Sequence, residues 1–432
     1  MVSSHLRRLT GLGLLAVWLS LAASAGTGPV RWMWSGAVAM DSARVKAGVS
    51  GNVAPDLLLT RGEAMTLAGV VKPAGFVRRA DGGVADYRLT GLEPDTVYHY
   101  EIGGEHGRFR TFPAGPASFS LVLGSCAQTG SSHPVFATMA RHEPLFFLHT
   151  GDLHYEDIKV DDIREFRAAF DRVLSAPVQS ALYRQTPVDY VWDDHDFGPG
   201  NADGSSRSRP AAWRAYREHV PHYPLPAGDD GPVYHAFTVG RVRFIVLDTR
   251  SLKSPPGLPD GPARTTLGEA QRAWLKAELL AARDTHALTV LVSSVSWVAD
   301  DGSPDRWSGF AHERRELADF IVASRIRNLC MLSGDAHMLA IDDGRHNQYA
   351  AAGGPGFPIF QAAALDRSGS VKGGPYSHGT FPGGGQFGLM KVSDDGGPQV
   401  FVEWTGRNHE DRVIVEHRFA VQAPAGARGA AR

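Results

Sequence analysis

Six continuous apolar runs follow Pro113, at 119–123, 145–148, 188–192, 242–247, 288–292 and 329–332. Runs without alternation must be covered on both faces, which demands a layered α/β arrangement rather than a half-exposed sheet. Two intervening stretches supply the cover. Helical periodicity predicts helices over 162–174 and 266–283, the second opened by a capping box of Thr266 with Glu269 and presenting Leu267, Ala270, Trp274 and Ala277 on one face. Four runs end in polar residues: Gly124-Ser125-Cys126, Gly151-Asp152-Leu153-His154-Tyr155, Asp193-Asp194-His195-Asp196 and Gly334-Asp335-Ala336-His337. Ligands of open α/β sheets bind at the carboxyl ends of strands, so these four groups are expected to converge on one crevice.

The region before these runs reads differently. From 30 to 113 short strands alternate with turns and no helical period emerges. The stretch from Leu92 to Tyr98, followed by the alternating Tyr98, Tyr100 and Ile102, resembles the tyrosine corner of a fibronectin type III-like sandwich. Further upstream, Arg7 and Arg8 precede an apolar stretch from Gly11 to Leu21 and an Ala23-Ser24-Ala25 cleavage pattern, the layout of an export signal. The arginine pair also resembles a twin-arginine signal. The expected plan is therefore a signal at 1–25, a fibronectin-like module at 30–115, a catalytic region at 116–420 and a disordered Ala/Gly/Arg tail at 421–432. No second apolar run reaches spanning length, so no transmembrane segment is expected in the mature chain. With 44 basic against 46 acidic residues and no run of one sign, a nucleic-acid partner held by a basic field is not expected, and two cysteines cannot make a disulfide scaffold.

Each polar group has an ordinary structural reading. A cysteine after a strand is often a small core residue, as Cys330 is expected to be, and Asp193 or Asp194 can cap a turn. Convergence is what argues otherwise, because gathered carboxylates repel and desolvate badly unless cations neutralise them. Carboxylates suit hard ions, imidazole suits zinc, iron or manganese, and a thiolate beside a phenolate favours trivalent iron. Two ions a few ångströms apart can activate a water and neutralise a phosphoryl oxygen.

Taken in order behind a fibronectin-like module, Gly124-Ser125-Cys126, Gly151-Asp152-x-x-Tyr155, Trp192-Asp193-Asp194-His195-Asp196 and Gly334-Asp335-x-His337 resemble the PhoD-type alkaline phosphatases of the metallophosphatase superfamily. That resemblance implies a layered β-sandwich flanked by helices and an iron(III)–calcium site that hydrolyses phosphate esters. It implies Cys126, Asp152, Tyr155 and His337 around Fe(3+), and Asp152, Asp335 and an asparagine around Ca(2+). The asparagine role passes to Asn201, which stands farther from the Asp-Asp-His-Asp block than the family pattern places it; Asp194 or His195 can share it and are catalytic candidates. Arg250 and His154 lie beside the same strand ends as candidate phosphate contacts. The expected partner is a small phosphate ester and the expected location periplasmic or secreted. A phospholipase D-like phosphodiesterase on the same site and a non-catalytic cell-surface binding protein are the alternatives.

Overall fold

The computed structural model describes residues 29–427; the expected signal at 1–25 and the last five residues lie outside them. Eight strands between Val30 and Arg110 form two four-stranded antiparallel sheets. Alternation in Val97–Ile102 turns Tyr98, Tyr100 and Ile102 inward. The Glu93 N–H donates to the Tyr98 hydroxyl at 2.9 Å, so the corner tie foreseen in the sequence is formed.

The six apolar runs become the strands Phe119–Gly124, Phe146–His149, Val188–Tyr190, Val242–Val246, Leu288–Ser293 and Leu329–Ser333. They divide three and three between a six-stranded and a seven-stranded sheet, parallel within each trio. Antiparallel strands, Gln386–Ser393 and Gln399–Asn408 among them, complete the six-stranded sheet. The two sheets face one another: Phe146 lies 5.4 Å from Phe244 across the interface and Phe360 lies 5.4 Å from Trp404, centroid to centroid. Helix Gly268–Thr285 lays Leu275 and Leu279 against Ile245 and Leu291 of the seven-stranded sheet. Both trios therefore end at one rim, which positions the site.

Three expectations need correction. Thr266 and Glu269 form no capping box; the Glu313 carboxylate accepts the Thr266 and Leu267 N–H groups instead, at 2.6 and 3.3 Å. Dense glycines over 352–388 predict a long loop from the sequence, yet the stretch contributes the strands Ile359–Ala362 and Thr380–Pro382. The tail is ordered as far as it is described. Strand Val413–Gln422 pairs along its length, Ala423 donates to the Pro398 carbonyl at 2.8 Å, and the Ala427 carbonyl accepts from Arg241 at 2.9 Å. Burial of Val421, Ala423 and Ala427 holds it there. Among the described residues no helix is long and apolar enough to cross a membrane.

Candidate metal centre

The strand-end residues reach the crevice because the backbone turns sharply there. Cys126, Asp152 and Asp335 all adopt left-handed φ values, +64°, +56° and +65°. Such φ values are costly for residues other than glycine and are stored mainly at functional sites. The preceding glycines have steric reasons. A Cβ on Gly151, whose φ is +106°, would collide with Asp193, and one on Gly334 would stand 2.6 Å from Thr150 Oγ1. Two strand-end turns can thus pack directly on one another.

The four residues expected around iron are brought together. Asp152 Oδ2 lies 3.4 Å from Cys126 Sγ and accepts from the Tyr155 hydroxyl at 2.6 Å, and that hydroxyl lies 3.3 Å from His337 Nε2. Beside them lies a second group. Ligand atoms of Asp193, Asp194 and Asp335 all fall within 4.8 Å of one another, as do those of Asp152, Asp194 and His195. Each carboxylate of the acidic trio is divided in function. Asp193 Oδ1 accepts from Arg250 Nε and Ser294 Oγ, both at 2.6 Å; Asp194 Oδ2 accepts from the Asn201 N–H; Asp335 Oδ1 accepts from Lys372 Nζ at 2.6 Å. The other three oxygens, Asp193 Oδ2, Asp194 Oδ1 and Asp335 Oδ2, are buried without a hydrogen-bond partner. Unpaired buried carboxylate oxygens are costly, and a hard cation is the ligand that suits three of them.

Electrostatics point the same way. Burial, then the charges of Asp194 and Asp193, pushes the Asp152 carboxyl well above the usual range. Asp193 is pushed up to about 7 by burial against the pull of Arg250, and Asp335 is raised by burial despite Lys372. The Cys126 thiol and the Tyr155 phenol are raised by burial and by neighbouring acids, Tyr155 first by Cys126. Burial works against the charge on Lys372, but its pairing with Asp335 raises it overall. A bound cation reverses this resistance to ionisation.

The remaining candidates separate clearly. Arg250 is fully buried, with Nη1 on Asp305 at 2.6 Å and Nη2 3.6 Å from Asp194. It lies against the carboxylates as their counter-charge, fully buried where the sequence predicts a phosphate contact. His154 is also fully buried, its ring against Phe166 and Phe170, and burial pushes it down to about 3. It belongs to the core, because the turn at Asp152 sends it away from the crevice. Asn201 is exposed and reaches the site through its backbone N–H on Asp194. His195 remains at the mouth, with Nδ1 2.6 Å from Asp157 Oδ1, its ring 4.1 Å from that of Tyr155, and Nε2 3.9 Å from Asp194. Asp196 accepts from Asp193 N–H, Leu153 N–H and the Tyr190 hydroxyl, so it builds the turn. Asp157, Asp305 and Lys372 also reach the site without any signal in the sequence. Nothing at their positions marks a strand end, and Lys372 sits in the glycine-rich stretch.

Residues 121–371 match the family model of the PhoD-like phosphatases, which takes in more than half of the chain and all four strand-end groups. The chain belongs to that family. It is 27% identical over 304 residues to alkaline phosphatase D of Bacillus subtilis, covering 57% of this chain and 52% of that protein. It thus spans about half the length of that curated relative. A solved structure of PhoD superposes with a TM-score of 0.73 at 20% identity, over 93% of this chain and 92% of the other. A purple acid phosphatase from yellow lupin seeds superposes with a TM-score of 0.64 at 14% identity, over 92% and 75%. These likenesses show a metallophosphatase-like fold for this member of the PhoD-like family.

Proposed function

We propose that this chain is an exported, metal-dependent phosphoesterase of the PhoD-like family. The observation that carries the reading is the acidic trio, three buried carboxylates each with one oxygen pinned and one without a hydrogen-bond partner. Cys126, Asp152, Tyr155 and His337 suit iron(III); Asp193, Asp194 and Asp335, with Asp152 between the groups, suit calcium. Asp194 takes the part expected of Asn201, whose backbone N–H orients it. When bound, the cations would supply Lewis acidity toward the phosphoryl oxygens and activate a water. The chain's own residues do the rest. Asp157 holds His195 Nδ1, leaving Nε2 toward the crevice to give a proton to the leaving oxygen. Arg250 favours the ionised forms of Asp193 and Asp194. The two antiparallel sheets and the Tyr98 corner support a fibronectin-like N-terminal module. The leader pattern at 1–25 supports export, and a phosphodiesterase of phospholipase D type remains the alternative on the same residues.

Metal analysis with activity tests this reading. The purified protein should contain iron and calcium, show a phenolate-to-iron absorption band that Tyr155→Phe bleaches, and lose hydrolysis of aryl phosphates on chelation. Calcium should restore it while iron stays in place, and magnesium poorly, since magnesium demands tighter octahedral geometry. A colourless, fully active protein would refute the iron assignment; activity indifferent to chelation would refute the whole reading.

A further inference from the structure

Three cationic side chains contact the acidic residues of the crevice, and they differ in what they have left to offer. Arg250 has Nε on Asp193, Nη1 on Asp305 and an unpartnered Nη2 that lies 3.6 Å from Asp194, but it is fully buried and presents nothing to solvent. The side chain of Lys253 is 3% exposed and its ammonium sits on the Asp305 carbonyl and carboxylate, at 2.6 and 3.3 Å. Lys372 is different. Its side chain is 28% exposed, and it spends one N–H on Asp335 Oδ1 at 2.6 Å. An ammonium carries three donors, so the others remain for a ligand on the solvent side of the trio. The segment that carries Lys372 is fixed. His337 Nδ1 lies 2.7 Å from the Ser368 carbonyl, Ser370 N–H donates to the His337 carbonyl at 3.0 Å, and Gly374 N–H donates to the Val298 carbonyl at 2.8 Å. The charge is therefore preset at the mouth.

We propose that Lys372 is a specificity-determining residue that favours dianionic phosphate monoesters over monoanionic diesters at this site. The proposal rests on the phosphoesterase reading above. A monoester brings a second negative charge and a third terminal oxygen; a diester replaces that oxygen with a neutral ester oxygen and an added group. The buried carboxylates Asp152, Asp193, Asp194 and Asp335 repel the dianion more strongly than the monoanion. A fixed ammonium with spare donors offsets that difference, and it does so for the terminal oxygen that only the monoester has.

The experiment compares Lys372→Met and Lys372→Arg with the wild-type holoenzyme on p-nitrophenyl phosphate and bis(p-nitrophenyl) phosphate. Metal content is measured alongside, and inorganic phosphate binding is read by calorimetry. In Lys372→Met, kcat/KM for the monoester should fall about tenfold or more, the scale of one hydrogen bond to a charged group, and the Kd of inorganic phosphate should rise in step. The diester should lose less than about threefold on the same reasoning, and Lys372→Arg should recover most of the monoester preference. Equal losses for both esters would overturn the proposal, whether or not metal is lost, by showing that Lys372 serves only to orient Asp335. An unchanged Kd of inorganic phosphate in Lys372→Met would overturn it too. If the wild-type protein hydrolysed neither ester, the phosphoesterase reading would fail, and the phosphate Kd alone would decide the role of Lys372.

Discussion

Asp193 and Asp196 hold their protons more tightly in the folded chain than an open chain would. Burial pushes them up to about 7 and about 8, whereas aspartate in an unfolded chain titrates near 4. Asp305 goes the other way: burial opposes its charge, but Arg250 and Lys253 hold it below the usual range. For the raised pair the sign follows from proton linkage. The folded state binds the proton more tightly, so the stability this contributes is fully present below about pH 4 and is lost as pH rises through 7 and 8. Bound cations remove the part that Asp193 contributes, because they stabilise its ionised carboxylate, whereas Asp196, whose oxygens build the turn, keeps its own. The chelated protein should therefore lose melting temperature between pH 5 and pH 8 more steeply than the metal-loaded protein, the difference being on the order of a few degrees. Calorimetry across that range checks this, and parallel slopes for the two forms would contradict it.

The same crevice depends on how strands end. Gly151 takes a φ of +106°, and a Cβ there would meet Asp193. Gly151→Ala should cost about 3 kcal/mol, from backbone strain and overpacking together, and should displace Asp152 and Asp193 at once. Chemical denaturation with parallel activity assays would show it, and a stability loss under about 0.5 kcal/mol would mean that the two turns are not locked together. These strand ends were legible in the sequence because uninterrupted apolar runs stop at glycine or at paired aspartates, and both signals are local. Contacts from distant segments were not legible. Glu313 takes the backbone groups that Thr266 and Glu269 were expected to satisfy, from 47 residues away. Lys372 reaches Asp335 from a segment with no periodic pattern. His154 and Asp152 are two apart, which in a regular strand would put them on one face, but the left-handed turn at Asp152 sends one to the crevice and the other to the core. The position of Arg250 after a strand is legible in the sequence, yet only the fold shows that it is fully buried against aspartates.

At the scale of the whole molecule, the sequence suggested two units in series, and the structure joins them through one core. Trp32, Tyr87 and Tyr100 of the antiparallel module belong to the same buried cluster as Phe170, Tyr190 and Phe244 of the metallophosphatase-like region. A polar clamp reinforces the junction. Arg79 donates to Glu218 at 2.8 Å and to Asp171 at 2.9 Å, and the Trp32 indole donates to Asp171 at 2.7 Å. Asp171 and Glu218 lie on the helices Ile163–Ser175 and Arg209–His219, which follow in sequence the turns that carry Tyr155 and His195. The side chains of Arg79 and Glu218 are only 6% and 5% exposed, so breaking their pair leaves a charge with little solvent to recover. Glu218 keeps a second partner in Arg167 at 2.8 Å, which places the expected cost of Arg79→Met near the lower end for buried pairs, about 3 kcal/mol. Because the apolar core is shared, the variant should still unfold in one transition, only at lower temperature. Its kcat at 25 °C should stay within about twofold of wild type, since a loss of that size still leaves a marginally stable domain mostly folded. Scanning calorimetry on Arg79→Met decides the point: a separate early transition would mean that the module folds on its own and that the clamp, rather than the shared core, had been holding the two units together.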